Sequence, residues 1–155
     1  MQHETELNVE SEKRLIFALG TELYGCSVLK VREIIKLGAI KPVPYMTKYF
    51  KGVQNVRGQV LGVIDLGAKL GISRATETSP MIVVTETQYG TIGVVVDQLV
   101  AVADFPPSAV DATVQVSTKI APVFFDGIGK WNDRLVHLID LSGLVQEEDF
   151  RLTGT

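Results

Sequence analysis

The strongest constraint on the fold is that the sequence repeats itself. Gly52-Val-Gln-Asn-Val-Arg-Gly-Gln-Val-Leu-Gly-Val-Ile-Asp-Leu66 aligns without a gap on Gly127-Ile-Gly-Lys-Trp-Asn-Asp-Arg-Leu-Val-His-Leu-Ile-Asp-Leu141, with the same first glycine, the same closing Ile-Asp-Leu and the same apolar alternation between them. A second pair lies earlier in each half, where Ile16-Phe-Ala-Leu-Gly-Thr-Glu-Leu-Tyr-Gly25 resembles Met81-Ile-Val-Val-Thr-Glu-Thr-Gln-Tyr-Gly90. Both halves therefore read as strand, Tyr-Gly turn, strand, then strand, hairpin, strand, Ile-Asp-Leu. A period of half the chain means two similar units, here about residues 14–72 and 80–146, and not a solenoid of many. Neither unit is large enough to bury an adequate core alone, so the two are expected to share an apolar interface.

Within the units, short strands dominate. Arg14–Leu19 and Leu23–Val28 flank a turn at Gly20, and 52–58 with Gln59–Ile64 form a hairpin turning at Arg57-Gly58. Val28, Val31, Ile34 and Ile35 fall at helical spacing, yet their β-branching suits a strand equally. Pro42-Val-Pro44 breaks the chain, and Met46–Phe50 is compatible with one helical turn. Asp65 is placed to cap a helix over Leu66–Leu70 that Gly71 ends in a left-handed conformation. Beyond a small polar linker, strands are expected at Met81–Thr85, Thr91–Asp97, Leu99–Val102 and across an Asn132-Asp133 hairpin, with a terminal helix at Ser142–Glu148. Residues 108–122 give no clear assignment. About five strands per unit protect their edges most easily by curling, so the expected fold is mainly all-β, two small five-stranded barrels with short helices.

Composition narrows the function. Hydrophobic residues are 46% and charged residues 21%, as in globular chains, and the single Cys26 excludes a disulfide framework. Residues 1–12 hold four glutamates and no apolar stretch, which reads as a disordered acidic tail and not a signal peptide. A soluble, cytoplasmic protein is expected. Net charge is only −3, but residues 30–74 carry nine Lys/Arg against Glu33 and Asp65, whereas residues 75–149 carry eleven acids against three bases. Such asymmetry gives surfaces that either steer charged partners or pack against each other.

Catalytic readings are weak. Asp65 and Asp140 occupy equivalent repeat positions, as a two-carboxylate dyad requires, but each is followed by Leu and fits a helix cap better. Cys26 and His137 form no nucleophile motif: Cys26 reads as a small core residue and His137, between Val136 and Leu138, as solvent-facing. No metal-ligand spacing and no cofactor motif is present. Small barrels often bind single-stranded nucleic acid, and Lys41, Tyr45, Lys48, Tyr49, Phe50 and Lys51 mix basic with aromatic side chains. The acidic second half and overall negative charge oppose that alternative.

Taken in order, Phe17-x-Leu19, Tyr24-Gly25, Val28, Val31-x-Glu33-Ile34, Pro42-Val-Pro44, Phe50-Lys-Gly-Val53-x-Asn55-Val-Arg57-Gly58, Val63-Ile-Asp-Leu66, Gly93, Val96-Asp97 and Leu135 to Asp140 resemble the CheW family of bacterial chemotaxis adaptors. The resemblance covers about residues 14–146 and implies two SH3-like five-stranded barrels with segments exchanged between them, in one CheW-like unit over 13–150. It also implies no catalysis and no cofactor. The implied partners are the cytoplasmic tip of methyl-accepting chemoreceptors and the regulatory domain of the histidine kinase CheA, so that the protein meets the membrane only indirectly, in receptor arrays, and binds no nucleic acid. Carried over by position, Leu15, Val28, Val31, Ile34 and Leu99 are expected to line the receptor groove between the barrels, with Arg57 of the turn motif grouped beside them. Ile40, Val43 and Tyr49 are expected to face the kinase, because an Ile-x-x-Val-Pro segment presents apolar side chains on an extended edge. Arg57 is expected to reach a carboxylate or carbonyl across the barrel junction or on the receptor. Many relatives have proline at Gly62 and arginine at Gly67. Those departures are compatible with a branch serving twitching or gliding, or with a second chemosensory cluster.

Overall fold

The computed structural model describes residues 12–74, 78–112 and 124–149. The acidic tail before residue 12 and most of the unassigned stretch, 113–122, lie outside the described residues. Strands run β1 (Glu12–Leu19), β2 (Glu22–Ser27), β3 (Val31–Lys36), β4 (Phe50–Val56), β5 (Gln59–Asp65), β6 (Met81–Thr87), β7 (Gly90–Val96), β8 (Gln98–Phe105), β9 (Val110–Asp111), β10 (Phe125–Trp131) and β11 (Arg134–Ile139). Two short helices, α1 (Leu66–Leu70) and α2 (Leu141–Leu144), each follow the closing strand of a repeat. Among the described residues no helix is long and apolar enough to cross a membrane.

Repeat chemistry fixes the hairpins. Arg57 and Gly58 both take positive φ, 49° and 82°, and so do Asn132 and Asp133, at 49° and 61°. Two consecutive left-handed residues make the type I′ turn whose twist matches that of the strands. Gly52 and Gly127 sit at equivalent bulges with φ near 140°. A Cβ on Gly52 would lie 2.4 Å from the Lys41 carbonyl oxygen. The Asp65 carboxylate accepts from Ala68 N at 3.1 Å and that of Asp140 from Gly143 N at 3.2 Å, so both aspartates cap their helices as expected. Gly71 ends α1 at φ 70°. The expected terminal helix is shorter, α2 followed by a 3-10 turn at Glu147–Asp149. At 46–50 no helix forms; Phe50 N donates to Thr47 O in a single turn that feeds β4.

Sheet order shows the exchange. One sheet runs β8-β1-β2-β11-β10-β9 and the other β3-β6-β7-β5-β4. Replacing each strand by its repeat equivalent turns the first order into the second, apart from β9. Each repeat thus donates its first hairpin to the other repeat's barrel, through parallel pairing of β2 with β11 and of β5 with β7. The fold is two SH3-like barrels with exchanged segments. The register also corrects the sequence alignment of the first hairpins: Leu19 opposes Glu22 where Thr87 opposes Gly90, so Gly25 corresponds to Gly93, a shift of 68 residues, and not to Gly90. Tyr24-Gly25 therefore lies inside β2, and only Tyr89-Gly90 is at a turn.

Three apolar clusters hold this together. The central one lies between the sheets and takes residues from both repeats, among them Leu15, Phe17, Ile64, Val83, Val94, Ile139 and Leu141. Each barrel has its own outer cluster: Ile16, Leu23, Phe105, Val136 and Leu138 in the first, and Leu61, Val63, Ile82, Val84 and Val95 in the second. The shared interface is the largest of the three cores.

Candidate docking site

The edge strands β3 and β8 are repeat equivalents. Val31 opposes Thr85 and Leu99 opposes Phe17, and both pairs carry a bulge at the next step, 31 to 33 in β3 and 99 to 101 in β8. Ile34 opposes Val83, and Val102 opposes Leu15. Directly opposed residues share a face, so Val31, Ile34, Leu99 and Val102 all project on the side where the central cluster lies. Val28, Val31 and Leu99 pack against that cluster while remaining partly accessible, and Ile34 and Val102 are exposed. The rim of the inter-barrel core is therefore aliphatic and wet.

Of the residues expected to line a groove, Val28, Val31 and Leu99 each pack at the accessible margin of the central cluster, and Ile34 lies further along β3. Leu15 does not belong to an exposed strip: it is buried in the central cluster, between Cys26 on β2 and Val102 on β8. Sequence reasoning missed Val102, which the 68-residue shift places opposite Ile34 in the repeat. It also missed Leu29, 86% exposed on the 3-10 turn Val28–Lys30. An apolar residue beside Ser27, whose hydroxyl accepts from Leu29 N, was the available signal.

Arg57 makes its contact within one barrel and not across the junction. Its guanidinium donates to Glu33 Oε2 at 2.5 Å. Because β3 and β4 are opposite edges of the second sheet, this ion pair spans the barrel mouth. Gln54 closes the same two strands elsewhere, donating to Lys36 O and accepting from Gly38 N. Of the residues expected to face a kinase, Ile40 packs against the second barrel's outer cluster and Tyr49 against the central cluster, so the two do not share a face. Val43 is exposed at 37%, and Tyr45, with φ 65°, is exposed at 75%.

Among the described residues neither catalytic pair considered above is assembled. Asp65 and Asp140 each bond their own helix. Cys26 is fully buried and its thiol is pushed up to about 12, first by desolvation. His137, expected in solvent, is buried because it lies on the face of β11 that carries Tyr24 of the central cluster, with Phe125 beside its ring. Its Nδ1 lies 3.0 Å from Leu23 O and its ring stacks on Tyr24. Among the described residues no three His, Cys, Asp or Glu side chains gather as a metal site. The charge asymmetry is partly neutralised internally, by Arg32 with Glu86, Lys69 with Asp149 and Arg74 with Asp97.

Comparison with known proteins matches residues 13–149 to the CheW-like domain. The chain belongs to the CheW family. The chemotaxis protein CheW of Klebsiella aerogenes is 29% identical over 89% of this chain and 84% of its own, and the probable CheW of Rhizobium etli 28% identical over 92% and 93%. The crystal structure of the scaffolding protein TtCheW from Thermoanaerobacter tengcongensis superposes with a TM-score of 0.78 at 27% identity, covering 89% of this chain and 90% of that one. Protein PilI of Pseudomonas aeruginosa is 29% identical over 63% of this chain and 56% of its own. CheW proteins are non-catalytic chemotaxis scaffolds, and the two-barrel architecture is that of such a scaffold. In α1 Gly67 is buried. Gly62 lies within β5, where a Cβ would touch the Phe50 ring at 3.4 Å.

Proposed function

We propose that this CheW-family chain couples chemoreceptors to the histidine kinase CheA, holding both in a cytoplasmic receptor array. The observation that carries the reading is the rim of partly exposed aliphatic side chains, Val28, Val31, Ile34, Leu99 and Val102, on two repeat-equivalent edge strands. A helical hairpin at the tip of a receptor buries an apolar stripe against such a rim, the helix-in-groove mode of recognition. Kinase binding falls to another surface, for which exposed Val43 and Tyr45 are the nearest aliphatic and aromatic groups. Arg57, exposed and paired only at the surface, contributes orientation more than stability.

Pull-down with a receptor cytoplasmic fragment and a CheA regulatory domain tests this. Val31→Asp is expected to weaken receptor capture at least tenfold and leave kinase capture intact. Because Val31 touches the core, Ile34→Asp with Val102→Asp serves as the second variant, since both side chains are exposed. Undiminished receptor capture by that folded double variant overturns the groove assignment. The likeness to PilI supports a second reading, service to a twitching pathway. Preference for the kinase of such a pathway over CheA in the same assay separates the two.

A further inference from the structure

We propose that the mouth of the second barrel is a socket for one aromatic side chain, presented by an acidic polypeptide segment. The inference starts from a difference between the repeats. In the first barrel Trp131 ends β10 and packs against that barrel's outer cluster. The gapless alignment that matches Gly52 to Gly127 matches Trp131 to Val56, which ends β4 and packs against the outer cluster of the second barrel. Valine is much the smaller side chain, and here a hollow of about 170 Å³ opens, floored by Val56, Leu61 and Val84 with Val60 on its rim. A cavity of about 150 Å³ takes up a benzene ring. Val60 stands 70% exposed beside the hollow, an aliphatic side chain that an incoming ring would cover.

The rim specifies the occupant. Arg57 and Arg32 line the hollow, the first held by Glu33 and the second by Glu86. A guanidinium bonded to a carboxylate through its edge still offers a flat face, on which an aromatic ring stacks. The net charge of the second barrel as a whole favours acidic flanks. On residues 31–65 and 81–96 the bases Arg32, Lys36, Lys41, Lys48, Lys51 and Arg57 outnumber Glu33, Asp65 and Glu86, a net +3. Among the described residues Lys36, Lys41, Lys48 and Lys51 have no ion-pair partner, so their field reaches outward. Trp131 serves as the internal precedent: one barrel supplies its own indole and the other takes an aromatic group from a partner. The inference does not depend on what occupies the inter-barrel rim.

The test uses the full chain and a blocked peptide, Glu-Glu-Trp-Glu-Glu, beside the same peptide with alanine in place of tryptophan. Methyl NMR is expected to show saturable shifts at Val56, Val60 and Val84 with the first peptide, and binding at least tenfold weaker with the second. Val56→Trp, which fills the hollow from inside, is expected to weaken the first peptide at least tenfold. Should that variant fail to fold, Val60→Glu at the exposed rim carries the same expectation. Equal binding of the two peptides, binding that leaves the Val56, Val60 and Val84 methyls unshifted, or undiminished binding by the folded variant overturns the proposal. Shifts at these methyls that grow with protein concentration in the absence of peptide assign the hollow to a second copy of the chain, and also overturn it.

Discussion

Replacing Lys69 by methionine separates the effect of burial from the effect of contact. Lys69 on α1 pairs with Asp149 in the last 3-10 turn, with side chains 16% and 1% exposed. Its ammonium also donates to Leu144 O at 2.7 Å, while Gln146 N donates to the same carboxylate oxygen of Asp149 at 2.8 Å. Among the described residues the other carboxylate oxygen is buried without a partner. In Lys69→Met the stem stays and the charge goes, leaving a buried carboxylate uncompensated, which costs about 3–5 kcal/mol. The chain has one escape, peeling residues 145–149 from the barrel. That exposes Val145, now 4% exposed in the central cluster, at about 1.5–3 kcal/mol. It also gives up the hydrogen bond from the Thr47 hydroxyl to Asp149 O, about 1 kcal/mol. The cheaper route limits the loss, so about 2.5–4 kcal/mol is expected from urea unfolding. Lys13→Met, which breaks the 63% and 52% exposed pair with Asp104, is expected to cost at most about 1 kcal/mol. Equal losses in the two variants would refute the reasoning, because burial would then not set the worth of the pair.

Gly129→Ala places a methyl group 2.5 Å from the Phe105 ring and is expected to cost about 1–3 kcal/mol in thermal or urea unfolding. Asp65→Ala and Asp140→Ala each remove a helix cap, at about 1 kcal/mol apiece, and a double variant is expected to lose the sum. Cys26 is expected to resist thiol reagents at pH 8 until the protein unfolds. Burial raises its pKa from 9.0 to about 12, so the folded thiol stays protonated. The unfolded chain ionises first, and stability on this account is full below about pH 9 and declines as pH rises toward 12, which denaturant titrations across that range would register.

What was legible in the sequence was local chemistry. The I′ turn at Arg57-Gly58, the Asp65 and Asp140 caps and the left-handed Gly71 each follow from a few adjacent residues, and all stand where the motifs put them. The partners of the hairpins were a different matter. Nothing near β2 announces β11, because the parallel pairing joins residues more than a hundred positions apart. The first-hairpin alignment went wrong for a related reason. Gly25 and Gly93 are equivalent because each lies where strands cross closely: a Cβ would stand 3.0 Å from Leu138 in one case and 2.6 Å from Ile82 in the other. The turn-like look of Tyr89-Gly90 concealed that constraint. Val102 was missed with it, whereas Val31 and Leu99, carried by resemblance, reached the rim. Leu15 was misplaced because strand alternation does not reveal whether a face meets solvent or a second sheet.

The exchange of hairpins bears on how the molecule is made. Leu23 and the His137 segment that seats it are 114 positions apart, and a ribosome adding 5–20 residues per second needs roughly 6–23 s to bridge that interval. Throughout it the nascent β1–β2 hairpin has a naked edge and no barrel to join. The strands of the second lobe, β3 to β7, are all made by residue 96, so synthesis of this scaffold ends with the first lobe closing around a hairpin made at the very start.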